Sequence, residues 1–381
     1  MALRRSGRRA KIAATMDDID SPPEDALAPR PRRGRGAVGN PDVRFAAWSR
    51  GRTDDGWGSA DEAAEPLATT LIVDQAKSIL SHNDSPDVPF EQSINPYRGC
   101  EHGCCYCFAR PTHAYLGFSP GLDFETRIVY KPDAAALLRQ ELSRRGYRPS
   151  PIALGINTDA YQPVERRLGI TRGLLEVLAA CRHPVSIVTK SALIERDTDL
   201  LADMARDDLV QVMFSVTTLD SDLARSMEPR AAQPQRRIEA MRHLHAAGIP
   251  VGVLFAPLIP GLNDHELEAV LAAATQAGAG SAGYVLLRLP HELRQMFPDW
   301  LAHHEPGKAE RVMSLMRQLH GGREYASEFG ARMRGSGEFA EVIAQRFRLV
   351  SRRLGLDQGR RELDCSRFVP PRSATPQLTL L

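Results

Sequence analysis

Four of the chain's six cysteines lie close together in the stretch NPYRGCEHGCCYCFAR, which spans residues 95–110. Cys100, Cys104 and Cys107 stand in C-x3-C-x2-C spacing, and Cys105 is an additional thiol inside that spacing. Several thiols on one short loop are typical ligands of a soft metal ion or of an iron–sulfur cluster. Cys105 could be only a small buried side chain.

The type of metal centre is narrowed by the ligands that the loop lacks. A structural zinc site takes four protein ligands, and these usually come as two separated pairs. The other cysteines, Cys181 and Cys365, are solitary and distant in sequence. His102 or His113 could complete a zinc site, and that alternative stays open. Three thiolates without a fourth favour a cubane iron–sulfur cluster with one iron left open.

With Tyr106 directly before the last cysteine, this loop resembles that of the radical S-adenosylmethionine (SAM) superfamily. The longer string NPYRGCEHGCCYCFARPTHAYLG resembles the DNA-repair-photolyase-like branch related to spore photoproduct lyase, over roughly residues 65–350. The resemblance implies a 4Fe–4S cluster on Cys100, Cys104 and Cys107, whose open iron binds SAM. It further implies reductive cleavage of SAM to a 5'-deoxyadenosyl radical and an electron donor such as flavodoxin or ferredoxin.

Polar residues follow several apolar runs, at positions that a buried strand would otherwise avoid. The resemblance implies that Thr158, Lys190 and Ser215 contact SAM. A hydroxyl can bond ribose or carboxylate, and an ammonium can pair with a carboxylate. Thr158 and Ser215 could equally be ordinary strand-end caps, whereas a lysine that closes an apolar strand is costly unless paired.

Three further residues receive cofactor roles from the resemblance, each beside a structural alternative. Tyr106 presents its backbone to the adenine or packs the loop. Glu228 and Arg230, in the stretch RSMEPRAAQPQRR, reach the cofactor or cap the next helix. Asp159 and Tyr161 could face the substrate.

Two departures from the lyase pattern concern the reaction itself. The stretch NTDAYQPVE replaces the Gly-Gly-Glu that usually follows the second strand, and Ile156 stands where the lyase has its hydrogen-donating cysteine. The second departure argues against the same repair reaction, although Tyr161 or Cys105 could supply a hydrogen atom. The leading hypothesis is therefore a radical SAM enzyme with an unidentified substrate. The alternatives are a lyase of the same class that repairs or modifies nucleic acid, and a non-catalytic zinc-binding module.

Short apolar runs alternate with helical patterns in the part of the chain that carries these residues. The helical patterns cover residues 131–146, 171–181, 234–248 and 263–278, with Thr171 as a cap and Asn263–Glu266 in capping-box spacing. The apolar runs are typical of strands buried on both faces, and they are PIALGIN (151–157), PVSIVTK (184–190), LVQVMFSVT (209–217), PVGVLFAP (250–257) and GYVLLRL (283–289).

With a strand leading into Cys100, the pattern gives six βα units. Right-handed crossovers between them predict an α/β protein built on a partial (β/α)6 TIM-like barrel. The cysteine loop would then lie at the carboxyl ends of the strands, where barrel active sites are built.

The two ends of the chain differ from this core. Residues 1–36 carry nine Lys/Arg against five Asp/Glu with few large apolar residues, so we expect a mostly disordered, basic and Pro-rich tail over 1–60. The radical SAM core is expected at 65–290. Helical patterns at 292–306, 307–322 and 337–355 predict a C-terminal helical extension over 291–365, followed by a tail at 366–381.

The overall composition is that of a soluble globular protein, with 43% hydrophobic and 25% charged residues in 381. A net charge of +2 argues neither for nor against nucleic acid. The arginine pairs near the N-terminus have no apolar stretch behind them, and no run of about 18 apolar residues occurs. We therefore expect a cytoplasmic protein with reduced thiols and no membrane-spanning helix.

Overall fold

The computed structural model describes residues 31–47, 67–357 and 362–371 of the chain. Strands in these residues are β1 (Thr70–Val73), β2 (Leu80–His82), β3 (Gln92–Ile94), β4 (Tyr97–Arg98), β5 (Arg127–Tyr130), β6 (Ile152–Leu154), β7 (Val185–Thr189), β8 (Val210–Ser215), β9 (Val251–Leu258) and β10 (Ala282–Leu286). Helices are α1 (Leu122–Thr126), α2 (Ala134–Leu142), α3 (Glu165–Leu168), α4 (Ile170–Ala180), α5 (Thr198–Ala205), α6 (Ser221–Met227), α7 (Pro234–Ala246), α8 (Leu267–Gln276), α9 (Leu293–His304), α10 (Ala309–Leu319), α11 (Ala331–Arg334) and α12 (Glu338–Arg353).

Six strands form one parallel sheet in the order β3-β6-β7-β8-β9-β10, with β2 antiparallel to β3 at its edge. Helices cover the outer face of the sheet, and every residue of β8 is buried. Each of the five apolar runs overlaps one of these strands. The prediction of a partial barrel of six βα units in an α/β protein is confirmed.

The strand that leads into the cysteine loop belongs to a second, smaller sheet. This sheet has the order β1-β5-β4, and β4 ends two residues before Cys100. The first strand of the barrel is instead β3, which pairs with β6 through residues such as Ile94 and Leu154. Of the small sheet, only β4 lies between the first barrel strand and the cysteine loop in the chain.

Helices occupy the four predicted stretches, but the predicted cap at Thr171 is wrong. Helix α4 begins at Ile170, after Gly169 in the left-handed conformation with a φ of 66°. The hydroxyl of Thr171 donates to the carbonyl oxygen of Ala160 at 2.6 Å. Tertiary bonding thus takes the side chain that local sequence assigned to capping.

The predicted capping box of Asn263 and Glu266 is also wrong. The amide of Asn263 accepts a hydrogen bond from the backbone N–H of Ile259 at 2.6 Å and donates to the carbonyls of Thr217 and Pro257 at 2.7 and 3.0 Å. The carboxylate of Glu266 accepts hydrogen bonds from the loop after β8. Asn263 therefore joins the carboxyl ends of β8 and β9, whereas Glu266 holds the loop after β8.

The three C-terminal helical patterns correspond to α9, α10 and α12. Helix α12 packs on α8 and α10, and the indole N–H of the buried Trp300 on α9 donates to the carbonyl of Ser226 at 3.2 Å. These helices thus pack directly on the barrel. The boundaries at 65–290 and 291–365 stay predictions. None of the helices in the described ranges is long and apolar enough to span a membrane.

Residues 31–47, here called the N-terminal segment, lie within the stretch predicted to be a disordered tail. Ala37 and Val38 are buried beside the cysteine loop, and the backbone N–H groups of Gly36 and Ala37 donate to the carboxylate of Glu125. The backbone of this segment bonds to a buried charge, so the segment is held against the cysteine loop, while the mostly disordered tail over 1–60 stays a prediction. The rest of the predicted N-terminal tail, and residues 372–381, lie outside the described residues.

Replacing Asn263 with Ala should lower the free energy of unfolding by about 2–4 kcal/mol, since three buried backbone groups lose their partner. The measurement is the midpoint of urea unfolding. His265→Ala, at an exposed neighbouring position, is the matched control and should leave the midpoint unchanged. Equal midpoints for the two variants would show that Asn263 does not join the strand ends.

Candidate functional site

The cysteine loop is fixed by its backbone at both ends. It turns at Gly99 and Gly103, whose φ angles of 81° and 69° favour glycine. The N–H of Cys100 donates to the carbonyl of Phe124, and that of Cys105 donates to the carbonyl of Met227, both at 2.9 Å. The loop is therefore attached to α1 on one side and to the end of α6 on the other.

A single arginine bonds the interior of this loop. Arg110 is fully buried, and its guanidinium donates to the carbonyls of Cys104 and Gly103 at 2.8 and 3.0 Å. It also donates to two carbonyls of the segment before α1 and to the carboxylate of Glu125. These five bonds use all five N–H groups of a guanidinium. Arg110 thus holds the cysteine loop in one conformation.

Glu125 is the buried counter-charge of Arg110. The two side chains are wholly inaccessible and form an ion pair at 2.5 Å. The same carboxylate accepts from the N–H groups of Gly36 and Ala37 at 3.1 and 2.8 Å. A Cβ atom on Gly36 would lie 1.7 Å from the carbonyl oxygen of Gly103, so only glycine allows this approach. The pair therefore joins the N-terminal segment to the cysteine loop.

The thiols of the loop are shielded from water. Cys100, Cys104 and Cys105 are buried, and burial raises the pKa of all three thiols above the usual range. The pKa of Cys100 is raised further by the neighbouring charges of Asp159, Cys104 and Cys107. Thiols in such a place are neutral until a metal displaces their protons.

Three thiols on one short loop are a donor set that an iron–sulfur cluster can take. In the described ranges no three His, Cys, Asp or Glu side chains are arranged as the ligands of a single metal ion. His102 lies 3.4 Å from the carboxylate of Asp159, and His113 donates to the carbonyl of Arg127 at 3.1 Å. Neither ring completes a zinc site with the cysteines, whose assignment as ligands stays a prediction.

Four of the residues assigned to the cofactor lie together beside the loop. The ammonium of Lys190 donates to the hydroxyl of Ser215 at 2.6 Å and lies 3.9 Å from the carboxylate of Glu228. The hydroxyl of Tyr106 donates to the same carboxylate. Lys190 is also 5.8 Å from the centroid of the Tyr106 ring. We call these four residues the Lys190 cluster.

Two further residues bond to the Lys190 cluster and were not among the predicted cofactor residues. Thr217 donates to Glu228 at 2.6 Å, and the buried guanidinium of Arg237 bonds the other oxygen of that carboxylate. Burial raises the pKa of Glu228, while Arg237 acts in the opposite direction. Burial likewise lowers the pKa of Lys190. Arg237 lies on α7, and no pattern in the sequence around it predicted this contact.

Thr158 and Arg230 bond outside the Lys190 cluster. The hydroxyl of Thr158 donates to the carbonyl of Tyr97 at 2.9 Å. The guanidinium of Arg230 pairs with Glu101 at 3.1 Å. Arg230 also lines a cleft of about 540 Å3 together with His102, Arg166, Arg196 and Arg236. The six predicted cofactor residues are therefore divided between the cluster and its margins.

The side chains of Asp159 and Tyr161 both form hydrogen bonds to other residues of the protein. The carboxylate of Asp159 accepts from the hydroxyl of Thr189 at 2.8 Å and from the N–H of Lys190 at 2.7 Å. Tyr161 is fully buried, and its hydroxyl donates to Asp197 at 3.1 Å. Asp159 therefore fixes the end of β7 from which Lys190 extends.

Comparison with known proteins agrees with this geometry. The protein-family model described as the radical SAM superfamily matches residues 94–274. The Mycobacterium bovis protein Mb2609c is 41% identical over 233 residues, which cover 61% of this chain and 68% of that relative. This chain belongs to the radical SAM superfamily. A second relative, the protein MJ0683 of Methanocaldococcus jannaschii, is 28% identical over 196 residues, which are 51% of this chain and 70% of that protein.

Solved structures show the same radical SAM fold. Spore photoproduct lyase complexed with dinucleoside spore photoproduct matches with a TM-score of 0.53 and 16% identity, over 74% of this chain and 79% of the lyase. A variant of that lyase with bound AdoMet and dinucleoside spore photoproduct matches with a TM-score of 0.51 and 16% identity, over 74% and 78%. At these identities the likeness is one of fold, and it confirms the predicted partial barrel.

Glu125→Gln should lower the free energy of unfolding by about 3–5 kcal/mol, because it leaves the buried charge of Arg110 without a counter-charge. The amide would also direct a donor toward the N–H donors of Gly36 and Ala37. The midpoint of urea unfolding measures the change, with Glu239→Gln on the surface of α7 as the control. A shift no larger than that of the control would show that the pair does not hold the loop.

Proposed function

We propose that the chain holds a 4Fe–4S cluster on Cys100, Cys104 and Cys107 and cleaves SAM reductively to act on a substrate. The observation that carries the proposal is the position of these thiols beside the Lys190 cluster at the barrel rim. When bound, such a cluster supplies one electron that splits SAM into methionine and a 5'-deoxyadenosyl radical, which takes a hydrogen atom from the substrate.

The buried pair of Arg110 and Glu125 would keep the ligand loop rigid and dry. All five N–H groups of Arg110 are used, so the loop carbonyls have little freedom to move. Preorganised ligands lower the cost of binding a metal centre, and exclusion of water protects a reactive radical. This is the role that we assign to the pair.

The Lys190 cluster would receive SAM. The ammonium of Lys190 and the hydroxyl of Ser215 can bond its carboxylate or ribose. Both carboxylate oxygens of Glu228 already have partners, so we propose that Glu228 acts by positioning Tyr106 and Lys190. The backbone of Tyr106 would face the adenine.

Thr158 and Arg230 are proposed as outer contacts to SAM. The hydroxyl of Thr158 uses its proton on a backbone carbonyl and can still accept a hydrogen bond. Arg230 uses one nitrogen on Glu101 and retains further donors. Both residues therefore keep atoms that can bond to SAM from outside the Lys190 cluster.

A nucleic-acid substrate is the second candidate, and the fold match to a lyase complexed with a dinucleoside favours it. The hydrogen donor of such a reaction would have to differ from a cysteine at the end of β6, since Ile156 stands there. Cys105 and Tyr161, the other two candidate hydrogen donors, are both buried inside the protein. Binding to damaged DNA and to RNA across a salt series tests this candidate, because phosphate contacts weaken steeply with salt.

Reductive cleavage requires an electron donor, and we propose a small redox protein such as flavodoxin or ferredoxin. The six cysteines are unpaired, as expected of a reducing compartment. We therefore propose that the protein works in the cytoplasm.

Anaerobic reconstitution with iron and sulfide, followed by dithionite and SAM, should yield 5'-deoxyadenosine. Cys100→Ala, Cys104→Ala and Cys107→Ala should each lose the brown chromophore, while Cys105→Ala retains it as the matched control. Iron and sulfide content and the 5'-deoxyadenosine formed are the measurements. Protein that carried zinc and no iron, or iron without SAM cleavage, would contradict the proposal.

Lys190→Ala should weaken SAM binding about tenfold or more, which corresponds to one charge-assisted hydrogen bond. Titration calorimetry on the reconstituted protein measures the dissociation constant. Lys308→Ala removes a half-exposed surface lysine and serves as the control. An unchanged dissociation constant in the Lys190 variant would remove that residue from the site.

A further inference from the structure

Arg288 lies at the same rim of the barrel as the cysteine loop, but it comes from a different strand. It follows the end of β10, and its guanidinium carbon is 4.8 Å from the centroid of the Phe108 ring. Phe108 comes directly after Cys107 and has 38% of its surface exposed. Arg288 therefore faces an accessible aromatic side chain next to a proposed cluster ligand.

In the described residues no carboxylate forms an ion pair or a hydrogen bond with the guanidinium of Arg288. Its Nε is buried and has no hydrogen-bond partner there. Asp87 is close enough to feel the charge of Arg288, but its oxygens accept from the N–H of Gly330 and from Arg332. A buried donor without a partner costs about 1–3 kcal/mol, so the position is unfavourable unless something else binds there.

Arg288 as a residue is partly buried, and the two fully buried arginines near the site differ from it because each is paired. Arg110 pairs with Glu125, and Arg237 pairs with Glu228. Since these pairs use the acidic groups of the ligand loop and of the Lys190 cluster, they leave no carboxylate there for Arg288. The unpaired cation thus stands out against neighbours whose charges are compensated.

A second unsatisfied side chain lies near the end of β10. His320 has only 5% of its surface exposed, and both of its ring nitrogens lack partners in the described ranges. Its ring contacts Tyr325 edge-on, and Tyr325 packs on the apolar cluster that includes Leu287 and Leu289, on either side of Arg288. Buried polar atoms without a hydrogen-bond partner thus occur on both Arg288 and His320.

We propose that Arg288 binds an anionic group of the substrate, a phosphate or a carboxylate, beside Phe108. The guanidinium presents paired N–H donors in a plane, which match the oxygens of either group. The inference rests on the proposed function, since that function assigns the Lys190 cluster to SAM and leaves the side of β10 to the substrate. The substrate class is accordingly a molecule that carries an acidic group close to the hydrogen that is removed.

Titration calorimetry of the full-length reconstituted protein with inorganic phosphate, and separately with acetate, tests the inference and distinguishes the two anions. We expect at least one anion to bind the wild-type protein and to bind Arg288→Ala and Arg288→Gln at least about tenfold more weakly. Arg294→Ala, at an exposed arginine of α9, should bind as the wild type does. The glutamine variant keeps a polar side chain of similar length, so its weakening reports the lost charge.

Absence of binding by both anions, or equal affinity in the wild type and both Arg288 variants, would overturn the inference. The same wild-type preparation is assayed for 5'-deoxyadenosine from SAM and dithionite. No product there would overturn the proposed function, whereas Arg288-dependent anion binding would still be measured. The two failures are therefore distinguishable.

Discussion

The ion pair of Arg110 and Glu125 is the interaction on which the cysteine loop depends. Burying two charges is expensive, and it is tolerated only when every remaining donor and acceptor is satisfied. Here the guanidinium uses all its N–H groups, and the carboxylate accepts from the backbone of Gly36 and Ala37. The desolvation cost is thereby offset within one connected network. The cysteine loop is thus held by a buried pair of charges in addition to its backbone bonds to α1 and α6.

The rim of the barrel is electrostatically uneven. On the side of β7 and β8, Lys190 and Arg237 are compensated by Glu228, and the charges hold one another in place. On the side of β10, Arg288 faces an aromatic ring and no carboxylate of the described chain bonds it. The parallel sheet brings both sides to one edge, so a cofactor and an acidic substrate could bind there side by side.

The sequence predicted the parts of the molecule that follow from local pattern. Apolar runs gave the barrel strands, and cysteine spacing gave the candidate ligands and the family. The roles of Arg110, Glu125 and Arg237 were not predictable, because their partners lie in other elements and charged residues carry no periodic signal. Asn263 fitted a capping motif, yet its side chain bonds two strand ends instead. Local pattern fails where a tertiary hydrogen bond competes for the same atoms.

The close contact between Gly36 and Gly103 connects the cysteine loop to residues far before it in the chain. The segment recognisable as radical SAM begins at residue 94, whereas the backbone that completes the coordination of Glu125 lies near residue 36. A recombinant fragment cut at the edge of sequence similarity would lose two donors from a buried anion and uncover the thiols. The buried network around the thiols therefore includes residues that precede the matched family domain.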